Sequence, residues 1–177
     1  MQDVIRNLLL FVLEYPPPDG TDVHTWAIDR MNDQRFANPR RPDQGVRMSL
    51  MFNGHPDPGA DHLGLDSLLD DSYRDRVRHH YNPTNNASTA PYAFIFNSGL
   101  HDGVRFSSLT DYITAVDRAA SFWEAILGAS PPQHIVLRSS VAPAGLSRYM
   151  RSNPAKLEVF NAALIARFHT SFPHLSL

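Results

Sequence analysis

The chain contains no cysteine among its 177 residues. That excludes a disulfide framework, a thiol nucleophile and a thiolate metal site, and it leaves the redox compartment unmarked by cysteine usage. An excess of one charge is also missing: sixteen basic against eighteen acidic residues give a formal charge of −2. No block of like charge is long enough to form a nucleic-acid or polyanion surface, so nucleic acid is not the expected partner. Long apolar runs are absent too. The run "VIRNLLLFVL" near the start falls far short of the ~20 residues that cross a bilayer. Asp3 before it and "EYPPPDG" after it also fail the pattern of a signal peptide.

Hydrophobic residues make up 42% of the chain and charged ones 19%, an ordinary globular balance at the size of one domain with a sizeable core. The expected domain spans 1–177, with residues 15–45 as a long irregular surface excursion. Val4, Ile5, Leu8, Leu9, Val12 and Leu13 recur at helical spacing before Pro16, Pro17 and Pro18 stop the helix. The excursion is rich in Pro, Asn and Asp and shows no sustained periodicity, with room for a short strand around Val23 to Ile28. Residues 46–53, "VRMSLMFN", read as a strand.

Leu65, Leu68, Leu69, Tyr73 and Val77 mark one face of a helix in "LDSLLDDSYRDRVRHHY". Asp66 and Asp70 near its start, and Arg76, Arg78, His79 and His80 near its end, suit the helix dipole. "YAFIFN" reads as a strand buried on both faces, as interior strands of parallel sheets are. Ser108 and Asp111 form a capping-box-like pair ahead of an amphipathic helix that runs through Trp123, a core residue, to Gly128. "HIVLRS" is a third strand, and Asn153-Pro154 opens a helix carried by Leu157, Phe160, Leu164 and Phe168. "FPHLSL" begins another strand. This alternation predicts an α/β class with a three-layer, flavodoxin-like parallel sheet and helices on both faces. A doubly wound domain usually opens on a strand, whereas this chain opens inside a helix and stops inside a strand, so the fold is expected to be incomplete at both ends.

In open parallel sheets ligands bind beyond the carboxyl ends of the strands. Three polar loops fall there: "NGHPDPGADH", "NSGLHDGVRFSS" and "SSVAPAGLSRYMRS". Ser98 lacks the Gly-x-Ser-x-Gly elbow of a nucleophile, and the next helix is expected some ten residues later. It is therefore read as a turn-forming or substrate-binding serine rather than as the attacking group. His55, Asp57, Asp61 and His62 are ligand types within eight residues, with His101 and Asp102 on the same rim, but no H-E-x-x-H or similar geometry accompanies them. Plain turn formation accounts for the same sequence. Asp102 is either one wall of a site or a loop carboxylate accepting from backbone. Arg138 either binds an anionic substrate or pairs with an acid.

"FNSGLHD" after a buried strand, then a Trp-bearing helix, then "IVLRSSVAPAG" resembles the central part of the SGNH (GDSL-like) hydrolase superfamily, especially its PC-esterase and Cas1-like sugar O-acyl branch. Gly99-Leu100-His101-Asp102 stands where that superfamily has Gly-x-Asn-Asp, with His101 in place of the asparagine. The resemblance implies a serine esterase or acyltransferase acting on O-acyl groups of small molecules or carbohydrates, with no cofactor. Its oxyanion would be held by Gly54, Gly99 and His101, and its substrate by Asn97, Ser98, Asp102 and Arg138. Neither Gly-Asp-Ser nor Asp-x-x-His occurs in the chain. The expectation is an interior fragment that is inactive as written, since loss of such groups removes most of the catalysis. A non-catalytic ligand or protein-interaction module and a metal-dependent hydrolase built on the 55–62 loop are the alternatives. The family branch is mostly secretory, which the sequon at Asn86 would suit; oligomeric state is not written in the sequence.

Overall fold

A computed structural model describes residues 34–37, 47–50, 63–81, 93–98, 100–128, 132, 134–138, 154–173 and 175–176. The helix expected at 3–14, the strand at 23–28 and the sequon at Asn86 lie outside them. The chain divides into two compact units, one holding the first two strands and the other holding everything described from residue 63 onward.

In the first unit, β1 (Gln34–Ala37) pairs antiparallel with β2 (Arg47–Leu50), Gln34 opposite Leu50 and Ala37 opposite Arg47. This corrects two expectations. Residues 34–37 lie in the span read as irregular, and β2 belongs to a separate antiparallel pair rather than to the parallel sheet. A four-residue strand is too short to show a period, and the short connection of residues 38–46 suits an antiparallel partner, whereas a parallel one needs a crossover.

The second unit is mostly helical around a small parallel sheet of β3 (Ala93–Asn97), β4 (His134–Arg138) and β5 (Leu175–Ser176), in that spatial order. β3 and β4 pair over five positions, from Ala93 with His134 to Asn97 with Arg138; β5 adds two residues beside Ile135 and Val136. The crossover from β3 to β4 carries α2 (Leu100–Arg105) and α3 (Leu109–Gly128), and that from β4 to β5 carries α4 (Pro154–Ser171). When strand order follows chain order, crossovers of one hand bring their helices to one face. Trp123 of α3 and Phe168 of α4 accordingly both meet Phe96, at ring-centroid distances of 6.3 Å and 4.7 Å.

That packing sorts β3 by face. Phe94 and Phe96 are buried beneath the helices, Phe94 lying 4.8 Å from Trp123, and each such ring contributes about 2–3 kcal/mol by leaving water. Ile95, on the opposite face, is 49% exposed. The strand is therefore one-sided, not buried on both faces as its unbroken apolar run suggested; the run conceals the period of two that its environment imposes.

The helix expected across 65–81 is broken in two. A 3-10 helix, Gly64–Leu69, buries Leu65 and Leu68; α1, Asp71–Tyr81, buries Tyr73 and Val77. Between them Asp70 is extended, and its Oδ1 accepts from the backbone N–H and the hydroxyl of Ser72, both at 2.8 Å. Asp70 is thus the N-cap of α1, the position aspartate prefers over a helix interior. Leu69, the last residue of the 3-10 helix, is exposed rather than part of the apolar face.

α3 matches its expected span. Ser108 Oγ accepts from the Asp111 N–H at 3.1 Å, and Tyr112, Val116, Ala120, Trp123 and Leu127 are buried. α4 lies alongside it, with the Phe160 ring stacked on Tyr112 at 3.9 Å and Arg167 Nε donating to Asp117 at 2.7 Å. Among the described residues no helix is long and apolar enough to cross a membrane.

Candidate functional site

The carboxyl end of β3 delivers Asn97 and Ser98 to the edge of the sheet, and α2 begins two residues after Ser98. The expectation that helix resumes only ten residues later is corrected by this short element. Gly103 within "LHDGVR" lowers helix propensity, yet Asp102 in the first turn and Arg105 in the last suit the dipole. The Phe106 N–H donating to the Asp102 carbonyl at 2.9 Å closes the turn.

Asn97 and Arg138 are register partners at the ends of adjacent parallel strands. The Asn97 side-chain amide donates to the Arg138 carbonyl at 2.8 Å, which fixes the asparagine along the rim. Arg138 itself is exposed. Of the expected substrate-binding residues, these two face outward together.

Ser98 and Asp102 lie beneath them, each 3% exposed. Ser98 Oγ donates to Asp102 Oδ2 at 2.8 Å, and Tyr112 Oη lies 3.2 Å from the same Oγ. A serine hydroxyl has one proton. With that proton on the carboxylate, Tyr112 is the donor, so the bonds run from Tyr112 to Ser98 to Asp102. Burial first, and the Asp102 charge in addition, push the Tyr112 hydroxyl well above the ordinary tyrosine range, opposed in part by the hydrogen bond to Ser98. The phenol stays protonated and remains a donor.

The other carboxylate oxygen, Asp102 Oδ1, accepts from the Leu65 backbone N–H at 2.7 Å. Gly64, just before it, has φ of +54°, a left-handed conformation that glycine adopts without a steric penalty. A Cβ on Gly64 would lie 2.1 Å from Asp102 Oδ1. The Ser67 hydroxyl completes the turn by donating to the Gly64 carbonyl at 2.7 Å. One buried carboxylate therefore ties the 3-10 helix to β3, α2 and α3, and each of its oxygens has a donor, the arrangement that makes burial of a charge tolerable.

Gly64, Leu65 and Tyr112 were not among the expected site residues. The glycine ahead of "LDSLL" was the available signal, but a positive φ leaves no pattern in a single sequence. Gly54 and Gly99 lie outside the described residues, as do His55, Asp57, Asp61 and His62; His101 falls in the first turn of α2. Among the described residues no group of three or more His, Asp or Glu side chains is placed to hold a metal ion. Compared with known proteins, the chain matches no family model, no curated protein and no solved structure.

Proposed function

We propose that the chain is an SGNH-type domain derived from an O-acyl esterase or acyltransferase. As written, it holds small-molecule or carbohydrate esters at the carboxyl rim of its parallel strands without cleaving them. The observation that carries this is the state of Ser98. It stands next to the rim, but its proton is committed to Asp102 and its oxygen accepts from Tyr112. A nucleophilic serine needs a base that takes its proton as attack proceeds. Here the acceptor is a buried carboxylate that also accepts from a backbone amide, an arrangement suited to architecture. Asn97, fixed by its bond to the Arg138 carbonyl, and the exposed Arg138 stand at the position where open parallel sheets bind ligands.

A three-layer, flavodoxin-like sheet belongs to the same proposal. Parallel strands in sequential order, both crossover helices on one face, and the apolar Ile95 on the other support it, because a second helical layer would cover that outer face.

Two measurements test the function. A fluorophosphonate probe followed by intact-mass analysis is expected to leave the protein unlabelled; an adduct on Ser98 would overturn the inactive state. Titration with an O-acetylated xylo-oligosaccharide, followed by amide NMR, is expected to shift the Asn97 and Arg138 signals saturably. No shift at the rim would remove the ester-binding role and leave a protein-interaction module.

A further inference from the structure

A second polar site lies where the last turn of α2 meets the start of α3, in a cleft of about 350 Å³ lined by Asp66, Arg105, Ser107, Asp111, Thr114 and Arg118. Its volume is at the lower end of the range for small-molecule sites. Two guanidinium groups from different helices converge there on one carboxylate. Arg105 Nε donates to Asp66 Oδ2 at 3.0 Å, while Arg118 Nη1 reaches Asp66 Oδ1 only at 3.5 Å.

A guanidinium carries five N–H donors and a carboxylate only about four acceptor sites, so Asp66 can bond to both groups but cannot satisfy all their donors. Arg105 spends its Nε–H on Asp66, so its paired Nη groups have no acceptor among the described residues, and Arg118 is held by one long contact. The side chains of Arg105 and Arg118 are 40% and 32% exposed, so water and solutes reach them. Asp111, the other acid in the lining, sits in the first turn of α3, where the helix dipole already favours it. The four charges sum to zero, so the cleft is not a general sink for anions. What it offers is a set of directed N–H donors that a compact oxyanion can meet in paired fashion, beside the Ser107 hydroxyl.

We propose that this cleft binds a small oxyanion, the carboxylate of a sugar acid or a phosphate, through Arg118 and the free edge of Arg105, with Asp66 acting as a resident competitor. The site is separate from the Asn97–Arg138 rim and holds whether or not that rim binds esters.

The experiment is an amide NMR titration of the whole chain at constant ionic strength, with inorganic phosphate in one arm, glucuronate in the other and sodium chloride as the control. Saturable shifts at Ser107, Asp111 and Thr114 are expected in one arm or both, and the responding arm identifies the oxyanion. Equal responses to the chloride control, or none, would overturn the proposal. Two variants move affinity in opposite directions. Removing the competing charge in Asp66→Asn is expected to tighten binding about fivefold, the effect of one unit charge near contact distance in a water-like medium. Arg118→Gln is expected to weaken it by a similar factor, with both spectra remaining dispersed. Weaker binding in Asp66→Asn would also overturn the role assigned to Asp66.

Discussion

The backbone N–H of Leu65 donates to Asp102 Oδ1 at 2.7 Å across 37 residues of sequence, and the missing side chain of Gly64 is what allows that approach. Beside the Asp66–Arg105 ion pair, one buried ionic acceptor and one glycine join two regions that share no regular hydrogen bonding.

Gly64→Ala combines a left-handed backbone with a direct collision. The conformation alone costs an L-residue about 1–2 kcal/mol, and the new Cβ would fall 2.1 Å from Asp102 Oδ1 and 2.8 Å from its Cγ. The carboxylate can retreat only by releasing Leu65 or Ser98. Urea denaturation is expected to show a loss of about 3 kcal/mol or more, and a wild-type midpoint would show that the approach is not tight. Gly128→Ala, where a Cβ meets nothing within 4 Å, is the matched control and is expected to leave stability unchanged or slightly raised.

Asp102→Ala strips the acceptor from Leu65 N–H and Ser98 Oγ at once and is expected to lose about 3 kcal/mol, the cost of stranding buried donors. Asp102→Asn keeps a carbonyl for Leu65 while turning a donor towards Ser98, which can rotate its hydroxyl to accept. Its loss should be about half as large. Equal losses in the two variants, measured by denaturant midpoint, would mean that the charge itself and not the acceptor geometry holds the network.

Tyr112 sets an alkaline limit. Burial raises its hydroxyl above the ordinary value of 10.0, so the folded state resists ionisation while the unfolded chain ionises freely. A raised folded value gives stability that is complete below pH 10 and is lost as pH climbs beyond it, because the unfolded state then sheds protons that the folded state keeps. Unfolding free energy is expected to fall progressively as pH rises above 10. The slope should be shallower in Tyr112→Phe, which also sacrifices the bond to Ser98. Identical slopes in the two proteins would show that other groups govern the decline.

α3 was legible because twenty residues give its apolar stripe several turns in which to repeat, and Ser108 marks its start with a side chain that caps. α4 was legible for the same reason, its four expected apolar positions all being buried. Short elements were not. α2 has six residues and a central glycine, and β1 has four residues; neither completes enough periods to stand out from a loop. Asp70 was misplaced because an aspartate early in a helix and an aspartate capping one look alike until the backbone at that residue is known. For the site, the rim loops and the family resemblance put forward Asn97, Ser98, Asp102 and Arg138 as substrate-binding residues but not which would face water. That division depends on Tyr112 and Leu65, which lie 14 residues after Ser98 and 37 before Asp102. The cleft at Arg105 and Arg118 was invisible for a similar reason, since Asp66 joins them only in three dimensions.

The order of the parallel strands also bears on how the chain acquires its structure as it is synthesised. Each residue of β3 meets its partner in β4 41 positions later, as Ala93 does with His134, and β4 waits 40 positions for β5, as Ile135 does for Leu175. Such distant pairing is slow, because loop closure must precede any hydrogen bond of the ladder. Phe94 and Phe96 therefore emerge from the ribosome well before the strand that will lie beside them. Trp123 emerges sooner than β4, on a helix whose cap and apolar stripe are both local in sequence. The contact of Trp123 with both phenylalanines therefore joins segments that both precede β4 in the chain, and it does not require the ladder to be closed.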